Sequence, residues 1–220
     1  PADCGPATIA ISQDVQAEAY DYPEIFFEEQ IHEIRRPHPD LNQIQAAAKK
    51  IKSSKQPIII SGGGVLYSEA EKELSDFAKK HNIPVTSTVM GLGCMDNDDP
   101  YYIGNIGGLG DKSSNNLSKD TDLALAVGTK LADFTTGSWS NFENKDFKLV
   151  SINTARYDVT KHRSTPVVSD AKIGFQELSK ALGDWKAPDI WFERAIKERT
   201  DWKNYVEKQS GPTNQELPSY

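Results

Sequence analysis

Apolar residues along the chain fall into two alternating patterns, short continuous runs and helical spacing, and each pattern predicts a different element. Ile58-Ile-Ile60, Val85-Thr-Ser-Thr-Val89, Leu123-Ala-Leu-Ala-Val127, Phe147 to Ile152 and Pro166-Val-Val168 read as strands buried on both faces. Between them the apolar positions recur at helical spacing. Asp40 caps a predicted helix carrying Leu41, Ile44, Ala47, Ala48 and Ile51. Ser68 and Glu71 form a capping-box pattern ahead of Leu74, Phe77, Ala78 and His81, a helix that Asn82-Ile-Pro84 ends. A short polar helix is predicted near Lys112 to Lys119, and Asp170 caps another that runs through Ile173, Leu178 and Leu182. Continuous strands alternating with helices predict an α/β fold, a Rossmann-like parallel sheet with helices on both faces.

The flanks read differently. Ala7-Thr-Ile-Ala-Ile-Ser12 predicts a strand so near the first residue that it is expected to belong to a longer protein, and without its native sheet it should be disordered or pair with another copy. Residues 13 to 40 carry acidic groups and turn-prone prolines and read as a linker over a surface, pinned by Phe26, Phe27, Ile31 and Ile34. Residues 90 to 110 and 129 to 146 read as long loops. Asp189 to Lys208 predicts a helix outside the α/β unit with Phe192, Ala195, Ile196 and Val206 as its buried face, followed by Gly211-Pro212 and a polar tail. No internal repeat points to a solenoid or propeller.

Composition narrows the function classes. With 25 Lys plus Arg against 32 Asp plus Glu the net charge is −7, so neither nucleic acid nor an anionic membrane is an expected partner. Mean hydropathy is −0.57, and no apolar run approaches the ~20 residues of a membrane span; the expected location is cytoplasmic. Cys4 and Cys94 have no C-x-x-C partners and read as free thiols.

Chemistry-bearing motifs are few. Ser61-Gly-Gly-Gly64 follows the first strand and precedes a helix, where backbone N–H groups can receive an anion. Gly62, Gly63 and Gly64 are therefore candidate nucleotide or anion ligands, although Tyr67 stands where G-x-G-x-x-G needs its third glycine. The alternative reading is a tight structural turn. Gly104, Gly107, Gly108 and Gly110 crowd one loop, as positive φ or close backbone approach requires, and Asp111 before Lys112 breaks a phosphate-loop pattern. His32, His38, His81 and His162 are scattered and read as surface or capping residues; Asp96, Asp98 and Asp99 read as a solvated turn. No metal ligand and no G-x-S-x-G nucleophile is proposed, and the Asn116-Leu-Ser118 sequon has no meaning in a cytosolic chain.

Longer stretches carry a resemblance. Thr86-Ser-Thr-Val-Met-Gly-Leu-Gly93, Gly104-Asn-Ile-Gly-Gly-Leu-Gly110, Leu123-Ala-Leu-Ala-Val-Gly128 and Lys148-Leu-Val-Ser-Ile-Asn153 are similar, in this order, to the central domain of thiamine-diphosphate-dependent enzymes of the acetohydroxyacid synthase type, over roughly residues 41 to 183. Within that family Gly5 to Pro23, Asp133 to Phe142 and Ile152 to His162 resemble the branch that hydrolyses a carbon–carbon bond of a cyclic dione in inositol catabolism. The resemblance implies that residues 1 to 20 end a pyrimidine-binding domain, 21 to 40 are the linker, and 184 to 220 lead toward a diphosphate-binding domain. It implies thiamine diphosphate and Mg2+ for the whole enzyme, a homo-oligomer, and no catalytic residue on this stretch, since the family's catalytic glutamate and its G-D-G motif lie in the other domains. FAD, bound by some relatives, is not expected, because Ile152-Asn-Thr-Ala155 offers neutral groups where those relatives resemble Ile-Asp-x-Asp. A related carboligase or decarboxylase and a nucleotide-binding regulatory module are the alternatives, the latter favoured by a co-purifying adenine nucleotide.

Overall fold

The computed structural model describes residues 6–31, 33 and 35–210. In chain order the helices are α1 Gln13–Gln16, α2 Leu41–Lys52, α3 Gly63–Tyr67, α4 Glu71–His81, α5 Lys112–Asp120, α6 Asp133–Thr136, α7 Arg156–Thr160, α8 Ala171–Leu182 and α9 Asp189–Ser210. The strands are β1 Pro57–Ser61, β2 Val85–Ser87, β3 Tyr102–Asn105, β4 Leu123–Val127, β5 Lys148–Asn153 and β6 Thr165–Val168. All pair in parallel, in the order β3-β2-β1-β4-β5-β6. The order reverses between β1 and β4, and a crevice opens at the carboxyl ends of strands at such a switch point.

Strand alternation sorts the core onto two faces. Ile59, Leu125, Val127, Val150 and Ile152 meet Ile44, Ile51, Leu74, Phe77 and Phe175 from α2, α4 and α8. On the opposite face Ile58, Ile60, Ala124, Ala126 and Leu149 meet Leu117 of α5 and Trp191 and Ala195 of α9. Both faces are covered, so the strands have no polar side, and each buried Ile or Leu contributes about 1.5–3 kcal/mol. The expected caps of α2 and α8 form: Asp40 Oδ1 accepts from the N–H groups of Asn42 (2.8 Å) and Gln43 (3.3 Å), and Asp170 Oδ1 from Lys172 (2.9 Å) and Ile173 (3.4 Å).

Several expectations are corrected. Helix α9 does not lie outside the α/β unit; it is a layer of it, with Trp191 and Ala195 as its buried residues. Phe192 is half-buried and stacks on Tyr101 with centroids 4.2 Å apart, while Ile196 and Val206 are 40 % and 39 % exposed. The face turned to the sheet instead continues through Arg199, whose guanidinium donates to Asp111 Oδ2 (3.1 Å) and Asn97 Oδ1 (2.6 Å). The Ser68 capping box does not form. Ser68 closes α3, its hydroxyl accepts from Ala171 N–H (3.3 Å), and α4 starts from Ala70 with no side-chain cap. Strand β2 stops at Ser87, because the chain turns across the end of β1, where Thr88 N–H donates to Ser61 O (2.9 Å).

The loop read over residues 90 to 110 contains edge strand β3, and that over 129 to 146 contains α6. Ala7–Ser12 forms no strand and is exposed, with Ile9 at 85 %. Phe26, Phe27 and Ile31 do not pin the linker; they stand 65 %, 73 % and 83 % exposed. Cys4, His32, Ile34 and Gly211-Pro212 lie outside the described residues.

Candidate functional site

Around the β1/β4 switch point the loops leaving β1, β2, β3 and β4 enclose a cleft of about 730 Å3. Its walls are mainly apolar, with Met90 (68 % exposed) from the turn after β2, Leu109 (77 %) from the glycine-rich loop and Phe134 (77 %) from α6. Lys130 is the one charged side chain of the lining, and it also borders two smaller depressions, one toward β5 and one toward His162.

The glycine run at the cleft floor is explained by contact with the neighbouring strand's end. Gly62 N–H donates to Val127 O (2.8 Å) and Gly64 N–H to Gly128 O (3.0 Å). A Cβ on Gly62 would lie 2.3 Å from Gly128 O, and one on Gly64 2.6 Å from Gly128 Cα, so the two turns cross backbone to backbone. Two of the three candidate donors are thus engaged by carbonyls, while Gly63 and Gly64 line the cleft through their backbone. The second glycine cluster behaves alike: Gly107, at φ 108°, would bring a Cβ within 2.1 Å of Phe134 O. Its close approach is to α6 of the same chain.

The depression toward β5, about 240 Å3, is lined by Ile152, Asn153, Thr154 and Ala155 together with Tyr67 and Ser169. Asn153 is spent locally, its amide donating to Thr129 O (3.2 Å) and its Oδ1 accepting from Ala155 N–H (3.1 Å). Asp158 also faces this space, a carboxylate that reading the residues directly after the strand missed. Helix α7 brings it back toward the sheet, and Lys161 Nζ holds it at 2.7 Å.

Elsewhere the titratable groups are structural. His81 is buried, with Nδ1 donating to Trp185 O (2.7 Å) and Nε2 accepting from the Ser179 hydroxyl (3.0 Å); burial pushes its pKa below the ordinary imidazole range. Cys94 is a buried free thiol 2.8 Å from Ser61 Oγ, and burial pushes its pKa up. Asp99 pairs with Lys79 (2.9 Å) and Asp98 with Lys203 (3.2 Å), so two acids of the 96–99 turn are ion-paired. His38 is exposed, and His162, at φ 59°, packs on Trp139 with centroids 4.4 Å apart. Among the described residues no three His, Cys, Asp or Glu side chains converge as a metal site, and none of their helices is long and apolar enough to cross a membrane.

A six-stranded parallel sheet covered on both faces, with a mainly apolar cleft at its switch point, defines a doubly wound α/β domain whose strand carboxyl ends open onto that cleft. Residues 44–178 match the family model described as thiamine pyrophosphate enzyme, central domain, and the chain belongs to that family. It is 37 % identical to the 3D-(3,5/4)-trihydroxycyclohexane-1,2-dione hydrolase of Geobacillus thermodenitrificans, over 100 % of this chain and 36 % of that protein. The proteins of the same name from Clostridium perfringens strain 13 and Clostridium botulinum strain Alaska E43 are 37 % and 43 % identical, over 94 % and 83 % of this chain and 33 % and 28 % of theirs. The chain spans about a third of the length of the curated relatives it matches.

Proposed function

We propose that this chain is the central scaffold of a thiamine-diphosphate-dependent hydrolase that cleaves a ring carbon–carbon bond of trihydroxycyclohexane-1,2-dione. Water is consumed in such a cleavage: one ring carbon leaves as a carboxylic acid, the other gains hydrogen, and the product is an open-chain deoxy sugar acid. The observation that carries the reading is similarity along the whole chain to a protein of that name.

The chain's own residues do not fit the cofactor's charged end. A diphosphate and its Mg2+ need carboxylate and amide oxygens, whereas the described residues hold no convergent acidic cluster and the cleft offers a lone ammonium. The contribution of this domain is then mechanical. Its sheet holds the loops at Met90, Leu109 and Phe134 as a rigid apolar wall, and the remaining domains supply proton transfer and metal binding. In the same reading residues 1–20 end the pyrimidine-binding domain, 21–40 link it to this one, 184–220 lead on to the diphosphate-binding domain, and the whole enzyme is a cytoplasmic homo-oligomer. The test is product analysis of the longer protein with the dione, thiamine diphosphate and Mg2+. Ring-opened acid is the expected product; an acetohydroxy acid made from pyruvate, with the dione untouched, would move the protein to the carboligase branch.

A further inference from the structure

Beyond this reading, two exposed apolar surfaces of the same chain are opposite in charge, one acidic and the other bordered by a lone lysine. Residues 20–29 present Tyr20, Tyr22, Ile25, Phe26 and Phe27, every one more than half exposed at 56–73 %. Their rings already cluster, Tyr22 to Phe26 at 4.9 Å and Phe26 to Phe27 at 5.3 Å, so little further ordering is needed to bury them together. Asp21, Glu24, Glu28 and Glu29 make the segment strongly acidic, and it has no cation. The switch-point cleft is the counterpart: its apolar walls are exposed, its one charged lining residue is Lys130, and among the described residues Lys130 has no ion-pair partner.

The tether begins at the edge of the cleft. Arg36 donates to Ser68 O (2.6 Å) and Asp170 Oδ2 (3.0 Å), and Asp170 N–H donates to Pro37 O (2.9 Å). The linker is therefore fixed next to Tyr67, a wall of the cleft, and the seven steps from Arg36 back to Glu29 reach roughly 25 Å when extended. We propose that residues 20–29 are a strap that closes over the cleft of their own chain, with the ring cluster on Met90, Leu109 and Phe134 and the carboxylates around Lys130; the structure shows it open. A short tether gives an effective concentration in the millimolar range, which favours this over a second copy at ordinary protein concentrations.

The 220-residue chain with p-benzoylphenylalanine replacing the exposed Phe26 tests this, because that site carries no core packing. Illumination should join residue 26 to peptides holding Met90, Leu109 or Phe134 within one chain, at a yield independent of dilution. Lys130→Glu should lower that yield at least three-fold. Adducts between chains that fade on dilution, adducts only outside the cleft, no adduct, or a yield indifferent to Lys130→Glu would each overturn the proposal. The readout needs no catalysis, so it stands or falls separately from the hydrolase assignment.

Discussion

At the scale of single residues the glycines and one histidine carry the sharpest expectations. Gly62→Ala forces a Cβ to 2.3 Å from Gly128 O and 2.6 Å from Thr129 Cβ, and the first of these is backbone that cannot swing aside. Its cost should be about 2–4 kcal/mol in urea unfolding. Gly93→Ala is the comparison, since φ is 89° with nothing within 4 Å of the new Cβ, and about 1 kcal/mol of left-handed strain is all it should cost. Equal losses would mean that the crossing of the two turns does not constrain position 62, since Gly62 itself has an ordinary extended φ of −109°. His81 makes a pH-dependent contribution. Burial lowers its pKa in the folded protein, the charges of Lys80 and Lys186 lower it further, and the hydrogen bond to Trp185 O opposes them. The unfolded chain therefore takes up a proton that the folded one resists. This contribution is fully present above the unfolded imidazole value of about 6.5 and is lost as pH falls below it toward the folded value. Urea midpoints should drop between about pH 7.5 and 5.5, and His81→Gln should flatten part of that drop; an unchanged slope in the variant would assign the pH dependence elsewhere.

Among the elements, α9 is where local pattern and packing part company. Its helical spacing offers more than one apolar stripe, and the sheet accepts the stripe holding Trp191, whose indole N–H donates to Pro57 O (2.8 Å) beside the start of β1. Trp191→Ala should therefore cost about 3–5 kcal/mol, like any large aromatic lost from a core. A loss below about 1 kcal/mol would return α9 to the status of a detached linker helix. Asp40 and Asp170 were readable as caps because each precedes an unbroken helical stripe. Ser68 was not, because its hydroxyl is claimed by α8, about a hundred residues away in sequence. Strand β3 escaped a pattern search for a similar reason: it is four residues long, contains Gly104, and is held by its parallel partner β2 and by Thr86 Oγ1 donating to Gly104 O (2.7 Å).

For the molecule as a whole, the chain is expected to bind cofactors poorly on its own. Isothermal titration with thiamine diphosphate and Mg2+ should give no saturable heat in the micromolar range, and the purified chain should show no flavin absorption band, because Asn153 is neutral and engaged and Asp158 is committed to Lys161. Micromolar saturation or a yellow protein would reveal a cofactor site on this domain. The parallel α/β class, the two-faced core and five of the six strands were legible in the sequence, since continuous apolar runs between amphipathic helices bury well only in a sheet covered on both sides. The glycine run was legible as a special turn, though not its partner. What only the tertiary structure decided are meetings between distant segments: Gly62 against Gly128, Arg36 against Asp170, Trp191 against Pro57, and the cleft that Met90, Leu109 and Phe134 share. The physical reason is range. Propensity, capping and periodicity act within a few residues and leave their mark in local sequence, whereas a cleft is made by the order in which strands pair, and that order is set by the packing of the whole chain.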